Sequence, residues 1–456
     1  MIVMKFGGTS VESAAAIERA GFIVRERLDR RPVVVVSAMG KTTNRLLAMG
    51  AAAVRGERQE AIDMAADLEA FHRREAARLA TPSERAGLES EIGSHFQELR
   101  ELLRGLAVLG EFYPRAVDAI SRYGERLSSQ IVAQAFRGKG MKAAHVDSRK
   151  VIVTDDRYTQ AAPLFPQTYA NLAAAVAPLA REQVVVMGGF IGSTLQGVTT
   201  TLGRGGSDFT ASIAGAGAGA EEIQIWTDVD GMLTCDPRIC ECGHRVKVIS
   251  FAEAAELAYF GAKVLHPATV VPAMEKNIPV RILNSRRPEA EGTRIIAEPV
   301  HCSNAVKSIA CKTPITLLNV VSTRMLMAHG FLRRIFEVFD RHETPVDMVA
   351  TSEVSVSLTI DNPSKLDQIA AGLREFGDVS AEEDQAIVCL VGENIRYTPG
   401  VAARVFKALG DVNARMVSQG ASLLNLSLVV DGRDLRRAVA SLHREFFAEL
   451  DPAVFD

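Results

Sequence analysis

The sequence predicts a three-layer αβα sandwich of the α/β class, followed by two small ferredoxin-like α+β units. Three observations carry that reading. Apolar runs without polar alternation, such as Val33-Val34-Val35-Val36, alternate with helical patterns over the first two thirds of the chain, as a parallel sheet buried on both faces requires. Glycine-rich turns follow those runs and open helices. Near the C terminus, Gly330, Arg334, Phe336, Ser352, Ser357, Leu358 and Asp361 recur as Gly400, Arg404, Phe406, Ser422, Ser427, Leu428 and Asp431, at a constant offset (400 − 330 = 70).

Composition bounds the function. A chain of 456 residues has room for two to four domains. A net charge of -3 and only 6% aromatics argue against a basic, base-stacking surface, so no nucleic-acid partner is expected. No apolar run reaches about 18 residues, so no membrane span is expected. The N terminus enters a strand without a signal-peptide pattern, which points to the cytoplasm. Of six cysteines, Cys235, Cys240 and Cys242 cluster near His244. Their spacing fits no common zinc pattern, so no metal site is assigned and reduced, non-ligating surface thiols are expected.

Taken in order, the strand Ile2 to Phe6 ends in Gly7-Gly8-Thr9-Ser10 before a helix from Val11 to about Leu28. That arrangement suits a phosphate, and Lys5 beside it is a compact cation. The strand Val33 to Ser37 runs into the small-residue loop Ala38 to Asn44. From Arg45 to Phe136 the pattern is helical, broken near Thr81-Pro82 and Tyr113-Pro114, with Glu125 a candidate for a substrate ammonium. Short strands at Lys142 to Val146 and Val151 to Thr154 precede a helix after Pro166.

The strand Val184 to Phe190 leads to the central stretch Thr199 to Asp208, read as a glycine-rich loop with a helix starting at Phe209. Its glycines permit close backbone approach, Arg204 suits a carboxylate, and Asp208 suits an ammonium or a metal. A strand Glu222 to Trp226 ends in Thr227 and Asp228, and Asp236-Pro237-Arg238 follows; such a strand end suits a nucleotide. The helix Phe251 to Tyr259 precedes Gly261-Ala262-Lys263, where Lys263 is placed to reach phosphate, while His266 reads as a structural hydrogen-bonder. Val280 to Asn284 is the last strand of this half, and composition shifts between Gly292 and Asn304. Each repeat then reads strand, loop, helix, strand: Ile315 to Val321, Gly330 to Arg341 and Val354 to Ile360, then Ala386 to Val391, Val401 to Leu409 and Leu424 to Val430.

The joint pattern resembles the aspartate kinases of the amino-acid kinase superfamily, closest to the monofunctional lysine-sensitive class. The resemblance rests on Lys5-Phe6-Gly7-Gly8-Thr9-Ser10, Gly124-Glu125, Gly188 to Gly192, Thr199 to Asp208, Trp226 to Val229, Asp236-Pro237-Arg238 and Phe260 to Pro267, in that order along the whole chain. It implies an amino-acid-kinase-type catalytic domain at 1–297 and ACT domains at 305–384 and 385–456, the strand near 305–312 being a candidate to pack with the second. It implies ATP-dependent phosphorylation of the L-aspartate side-chain carboxylate, the first step toward lysine, threonine and methionine, with ATP and Mg²⁺. The alternatives are a catalytically inactive ACT-type sensor and another small-molecule kinase of the superfamily.

By resemblance, Lys5 and Asp208 are catalytic. Ser37, Thr43, Glu125, Arg204, Gly205, Gly206 and Ser207 bind aspartate. Lys5, Gly7, Gly8, Thr227, Asp228, Arg238 and Lys263 bind ATP, with Leu233 where relatives often carry an aromatic. An amino-acid effector, lysine with threonine as runner-up, is expected at Met325, Gly330, Phe331, Leu332, Val346, Asp347, Ser352 and Glu353. Its carboxylate would sit at the helix opened by Gly330, and its two ammonium groups would face Asp347 and Glu353. Met327 stands where close lysine-sensitive relatives tend to carry His. Val417 and Leu423 replace both acids in the second repeat. A homodimer through the ACT sheet edges, with a tetramer as the larger option, completes the expectation.

Overall fold

The computed structural model describes residues 1–261, 267–322 and 329–456, without the side chains of Pro267 and Ala268. Lys263, His266, Met325 and Met327 lie outside the described residues. Contacts divide the chain into Met1–Met232 with Leu265–Ala297, and Leu233–Val264 with Glu298–Asp456.

In the first unit, strands Thr293–Ile296, Val280–Asn284, Glu222–Thr227, Ile2–Phe6, Pro32–Val36, Val184–Gly188 and Ala143–Val146 neighbour one another in that order. All pairs but the first are parallel. Ile2–Phe6, Pro32–Val36 and Val184–Gly188 are buried along their whole length, which explains their unbroken apolar sequences. Phe6 lies opposite both Val36 and Trp226, and Val36 opposite Gly188. The carboxyl ends of the central strands therefore coincide, and the loops that leave them share one edge.

The helical stretch divides where the prolines stand and once more, unforeseen in the sequence reading, at Arg55-Gly56-Glu57, where Gly56 takes a left-handed φ of 85. Helices Arg58–Leu79, Pro82–Leu109 and Pro114–Gly138 follow Thr42–Val54, with Pro82 and Pro114 at first helical positions behind extended Thr81 and Tyr113. Their apolar stripes, including Leu46, Met49, Leu68, Phe96, Leu99 and Tyr123, join one core with the sheet residues Phe6 and Trp226.

The central stretch differs from the sequence reading. Thr199–Thr201 is a strand, paired with Ile191–Thr194. Three consecutive β-branched residues favour extended backbone over a loop. The helix begins at Gly206 rather than Phe209, because Gly205 takes the left-handed conformation (φ 72) that starts the turn early. Asp208 thus lies in the first helical turn. Asp118, buried in the helix Pro114–Gly138, holds the strand: it accepts from the Thr201 hydroxyl at 2.6 Å, Thr201 N at 3.1 Å and Thr159 N at 2.9 Å.

In the second unit, both repeats contribute to one sheet, ordered Val349–Thr351, Ser355–Ile360, Ser308–Val321, Asp378–Val391, Asn425–Asp431, Met416–Gln419. Each repeat is longer than the sequence reading. The first adds the edge strand Val349–Thr351 and the helix Leu366–Leu373, the second Met416–Gln419 and Leu435–Phe446. The long strand Ser308–Val321 serves both halves: Ser308 to Lys312 pair with Val391 to Ile387, while Thr316 to Val321 pair with Ile360 to Ser355.

Residues 233–264, expected with the N-terminal domain, group with this second unit. Ion pairing and hydrogen bonding anchor them. Glu253, in the capping box of helix Phe251–Tyr259, meets Lys307 at 3.0 Å with both side chains fully buried. Glu256 accepts from Ser422 at 2.6 Å and Asn425 at 2.7 Å.

Asp118→Ala leaves three donors of the central stretch without their acceptor. It is expected to cost roughly 2–3 kcal/mol of stability in denaturant unfolding, since hydrogen bonds to charged groups carry about that much. A change below ~0.5 kcal/mol, the scale of an ordinary surface substitution, would show that Asp118 does not hold the strand.

Candidate active site

Where the central strands end, a cleft of about 370 Å³ opens, lined by Lys5, Gly8, Ser37, Ala38, Gly40, Lys41, Thr43, Asn44, Glu125, Phe190, Gly203, Gly205, Gly206, Ser207 and Asp208. Backbone hydrogen bonds knit its floor. Gly7 N donates to Trp226 O at 3.0 Å, Ser37 N to Phe6 O at 3.1 Å, Gly40 N to Gly8 O at 3.0 Å and Gly189 N to Val36 O at 2.8 Å. The two glycine turns thus follow from the register of the strands beneath them.

Lys5 Nζ meets Asp208 Oδ1 at 2.6 Å. A strand end and a helix start are brought together here, with the helix N–H groups facing the same opening. Close backbone approach makes this possible: a Cβ on Gly189 would lie 2.6 Å from Ser207 Cβ.

Glu125 enters from the helix Pro114–Gly138. A Cβ on Gly124 would stand 2.7 Å from Ala38 Cβ, so only glycine lets the helix settle this close to the loop. Glu125 is buried; Oε1 accepts from Ala38 N at 3.2 Å, while Oε2 has no hydrogen-bond partner among the described residues. Burial pushes its carboxyl up to about 8, against the pull of the Ala38 N–H. An acceptor left in this condition favours a cation arriving from the cleft.

Of the expected substrate and catalytic residues, the structure gathers Lys5, Gly8, Ser37, Thr43, Glu125, Gly205, Gly206, Ser207 and Asp208 on this cleft. Arg204 is exposed and does not line it. Thr227 and Asp228 sit at the same end of the sheet, next to Phe6-Gly7, with the Thr227 hydroxyl donating to Asp228 at 3.3 Å. Arg238 belongs to the second unit, where it is exposed and forks onto Asp236 at 2.5 and 3.0 Å. Sequence reasoning missed Lys41, Asn44 and Phe190 as lining residues. The loop of Lys41 and Asn44 was visible as a small-residue turn, but nothing in it marked which side chains face the opening.

In the second unit, Gly330 (φ 74) precedes the helix Phe331–Arg341, in which Phe331 is buried and Leu332 exposed. Asp347 Oδ1 is held by Lys312 Nζ at 2.6 Å. The structure does not bring Asp347 and Glu353 together within one chain. Asp347 N bonds Thr359 O at the open end of a hairpin, whereas exposed Ser352 and Glu353 lie in its turn, where Ser352 meets Ser355 at 2.7 Å. Five residues lie between the two acids, three of them the strand Val349–Thr351, so the acids stand toward opposite ends of the hairpin, at most roughly 20 Å apart. Val346 is half-buried beside Asp347.

The cysteine expectation is corrected. Cys235 and Cys389 are buried, and Cys240 and Cys242 are joined as a disulfide. Their Cα atoms lie 5.3 Å apart, within bridging reach.

Comparison with known proteins matches residues 1–284 to the amino acid kinase family and 388–446 to an ACT domain. Aspartokinase 1 of Arabidopsis thaliana is 38% identical, over 98% of this chain and 80% of its own. The chain belongs to the aspartokinase family. Among solved aspartokinases, E. coli aspartokinase III in complex with aspartate and ADP (R-state) superposes with a TM-score of 0.85 at 36% identity, over 98% of this chain and 100% of that one. The same enzyme in complex with lysine and aspartate (T-state) gives 0.84 at 36% identity, over 98% and 99%. Among the described residues, no helix of this aspartokinase is long and apolar enough to cross a membrane.

Glu125 makes the ligand-free protein's stability depend on pH. Its folded pKa of about 8 lies above the ordinary carboxyl value of 4.5, so between those values the folded chain holds a proton that the unfolded chain has lost. The contribution is fully present below the lower value and declines as pH rises through the window. Glu125→Gln is expected to flatten that decline in unfolding measurements from pH 5 to 8, by an amount on the order of 1 kcal/mol per pH unit. Parallel wild-type and variant curves would place the proton elsewhere.

Proposed function

We propose that the cleft transfers the γ-phosphoryl group of ATP to the side-chain carboxylate of L-aspartate, giving 4-phospho-L-aspartate. Membership of the aspartokinase family supports this reading. The observation that carries it is the pairing, in one cleft, of Lys5 at the glycine turns with the buried, half-unpartnered Glu125. The first suits the phosphoryl group and the second suits the α-ammonium of an amino acid.

No general base is required. The attacking carboxylate ordinarily titrates at about 3.9 and is ionised at neutral pH. The barrier lies in bringing two anions together. Lys5 supplies positive charge, and the N–H groups of Gly8 and, in the first helical turn, of Ser207 and Asp208 add oriented donors. In the ligand-free chain Asp208 neutralises Lys5, so an arriving phosphate competes for that ammonium. Arg204, on its long side chain at the exposed rim, folds inward onto the substrate α-carboxylate in this reading. Thr227 and Asp228 hold the nucleotide, and the family resemblance adds Arg238 and Lys263.

Mg²⁺ fits the donors present. Among the described residues, Asp208 is the one carboxylate on the cleft besides the buried Glu125, and so small an acidic donor set suits an ion held mainly through phosphate oxygens. When bound, Mg²⁺ supplies further charge screening.

The second unit is the regulatory part in this reading, with lysine as effector and ACT domains at 305–384 and 385–456. E. coli aspartokinase III in complex with lysine supports that choice. The effector's carboxylate meets the helix start after Gly330, and its ammonium displaces Lys312 from Asp347. Because Glu353 lies at the far end of the hairpin, it reaches the same ligand from a second copy of the chain. Leu332 and Phe336, exposed one helical turn apart, give such a homodimer an apolar contact.

Two variants test the catalytic assignment, with ATP turnover on aspartate against glutamate as the assay. Lys5→Ala should lower kcat by roughly 10²–10³-fold with the aspartate KM near wild type. Arg204→Ala should raise the aspartate KM by an amount equivalent to roughly 2–5 kcal/mol, with the ATP KM little changed. Near-normal turnover of folded Lys5→Ala, or preference for glutamate, would reject the reading.

Regulation has its own test. Asp347→Ala should weaken lysine inhibition and calorimetric lysine binding at least ~10-fold, the loss of one charged hydrogen bond. Inhibition unchanged in that variant rejects the site, and inhibition by threonine alone rejects lysine.

A further inference from the structure

The loop 233–244 and the helix Leu435–Phe446 bring together groups that the catalytic and regulatory readings do not use. The ligand-capable atoms of Cys235, Cys242 and His443 all lie within 4.8 Å of one another. Cys235 and His443 are buried and Cys242 is half-buried. Cys240 stands beside them through its bond to Cys242.

The surrounding structure holds these groups in place. Thr234 N donates to His244 O at 2.8 Å and His244 N to Thr234 Oγ1 at 2.8 Å, so the loop between them is closed at its neck. Within it, Ile239 N and Cys240 N both bond Asp236 O. Gly243 packs closely on the cysteine backbone, where a Cβ would stand 3.2 Å from Cys235 O. Arg436, on the helix, donates to Ile239 O at 3.2 Å. His443 Nε2 lies 2.9 Å from Thr234 Oγ1. A ring nitrogen engaged in this way fixes the imidazole and leaves Nδ1 for a metal, as outer partners of metal-bound histidines do.

We propose that the reduced chain binds zinc through Cys235, Cys242 and His443, with Cys240 as the fourth ligand. Thiolate and imidazole are the donors a four-coordinate zinc site takes, and bonds of about 2.0–2.3 Å set ligand atoms roughly 3.3–3.8 Å apart. For Cys235, Cys242 and His443 the observed spacing needs a contraction of about 1 Å, while Cys240 turns in as the fourth ligand once the bridge opens. Sequence spacing concealed the site because His443 follows Cys242 by 201 positions (443 − 242 = 201).

The Cys240–Cys242 disulfide and the metal exclude each other, because a bonded sulfur is not a thiolate. A dithiol reductant opens the bridge: two electrons and two protons pass to the cysteine sulfurs, and the dithiol becomes its own disulfide. Zinc then displaces the thiol protons to solvent. The metal pins the loop that carries Asp236-Pro237-Arg238 to the last helix of the second repeat.

The experiment uses the full chain, prepared with a dithiol, loaded with one equivalent of zinc, dialysed and measured by elemental mass spectrometry. About one zinc per chain is expected, released when a thiol oxidant reforms the bridge. Cobalt in its place should give the intense thiolate charge-transfer absorption of a sulfur-ligated tetrahedral ion. Cys242→Ser and His443→Gln should each lower zinc affinity at least ~10-fold in a chelator competition. Cys302→Ser, at a half-buried cysteine outside the cluster, should retain wild-type affinity. The proposal is overturned if the reduced wild-type chain keeps no zinc, if cobalt binds without the sulfur absorption, or if Cys302→Ser loses as much affinity as Cys242→Ser. Should His443→Gln fail to fold, Cys242→Ser and the cobalt spectrum of the wild-type chain still decide the matter.

Discussion

The contact between Lys5 and Asp208 depends on a parallel sheet ending in register. Lys5 is one residue from the end of the first strand, and Asp208 is in the first turn of the helix that follows the central stretch. Only when the strands beginning at Ile2, Pro32 and Val184 finish level do the glycine turns, the helix start and this ion pair share an opening. The pair also keeps a nearly buried lysine compensated while no phosphate is present. Shifting one strand by a residue would turn Lys5 to the opposite face of the sheet, and the cleft would lose its cation.

Glu125 is the opposite case, a group held in a poor environment. A buried carboxylate with one oxygen unpartnered is costly, and its raised pKa expresses that cost. The structure goes further and gives up a side chain at Gly124 to bring it there. Such local conflict between burial and polarity is expected where a ligand completes the hydrogen bonding. Asp118 stands two turns earlier on the same helix and is also buried, yet both of its oxygens accept hydrogen bonds, from Thr201 and Thr159. The helix thus carries one carboxylate that builds the site and one that awaits a partner.

The regulatory half is a single sheet made from two repeats, not two sheets side by side. The strand Ser308–Val321 pairs along one part with the second repeat and along another with the first. A shift in either repeat is therefore felt by hydrogen bonds of the other. Lys312 lies on this shared strand, and its ammonium holds Asp347 and, at 2.8 Å, Asp361. Lys312 thus ties both acids to the strand that joins the halves.

The sequence by itself determined the layers of the fold, the helix breaks at Pro82 and Pro114, the internal repeat and most of the cleft. Unalternated valines require two-sided burial, prolines end helices by removing an N–H, and glycine turns after strands mark close backbone approach; each of these effects is local. The tertiary structure alone decided the rest. Thr199–Thr201 became a strand because Ile191–Thr194 lies beside it, and residues 233–264 joined the second unit through Glu253 and Glu256. Arg204 stayed at the rim, Asp347 was separated from Glu353, and His443 arrived beside Cys235 and Cys242. The three threonines carry a local preference for extended backbone, but their pairing and the other outcomes could not be read locally, because pairing partners, ion pairs and ligand sets depend on which distant segments the packed core makes neighbours.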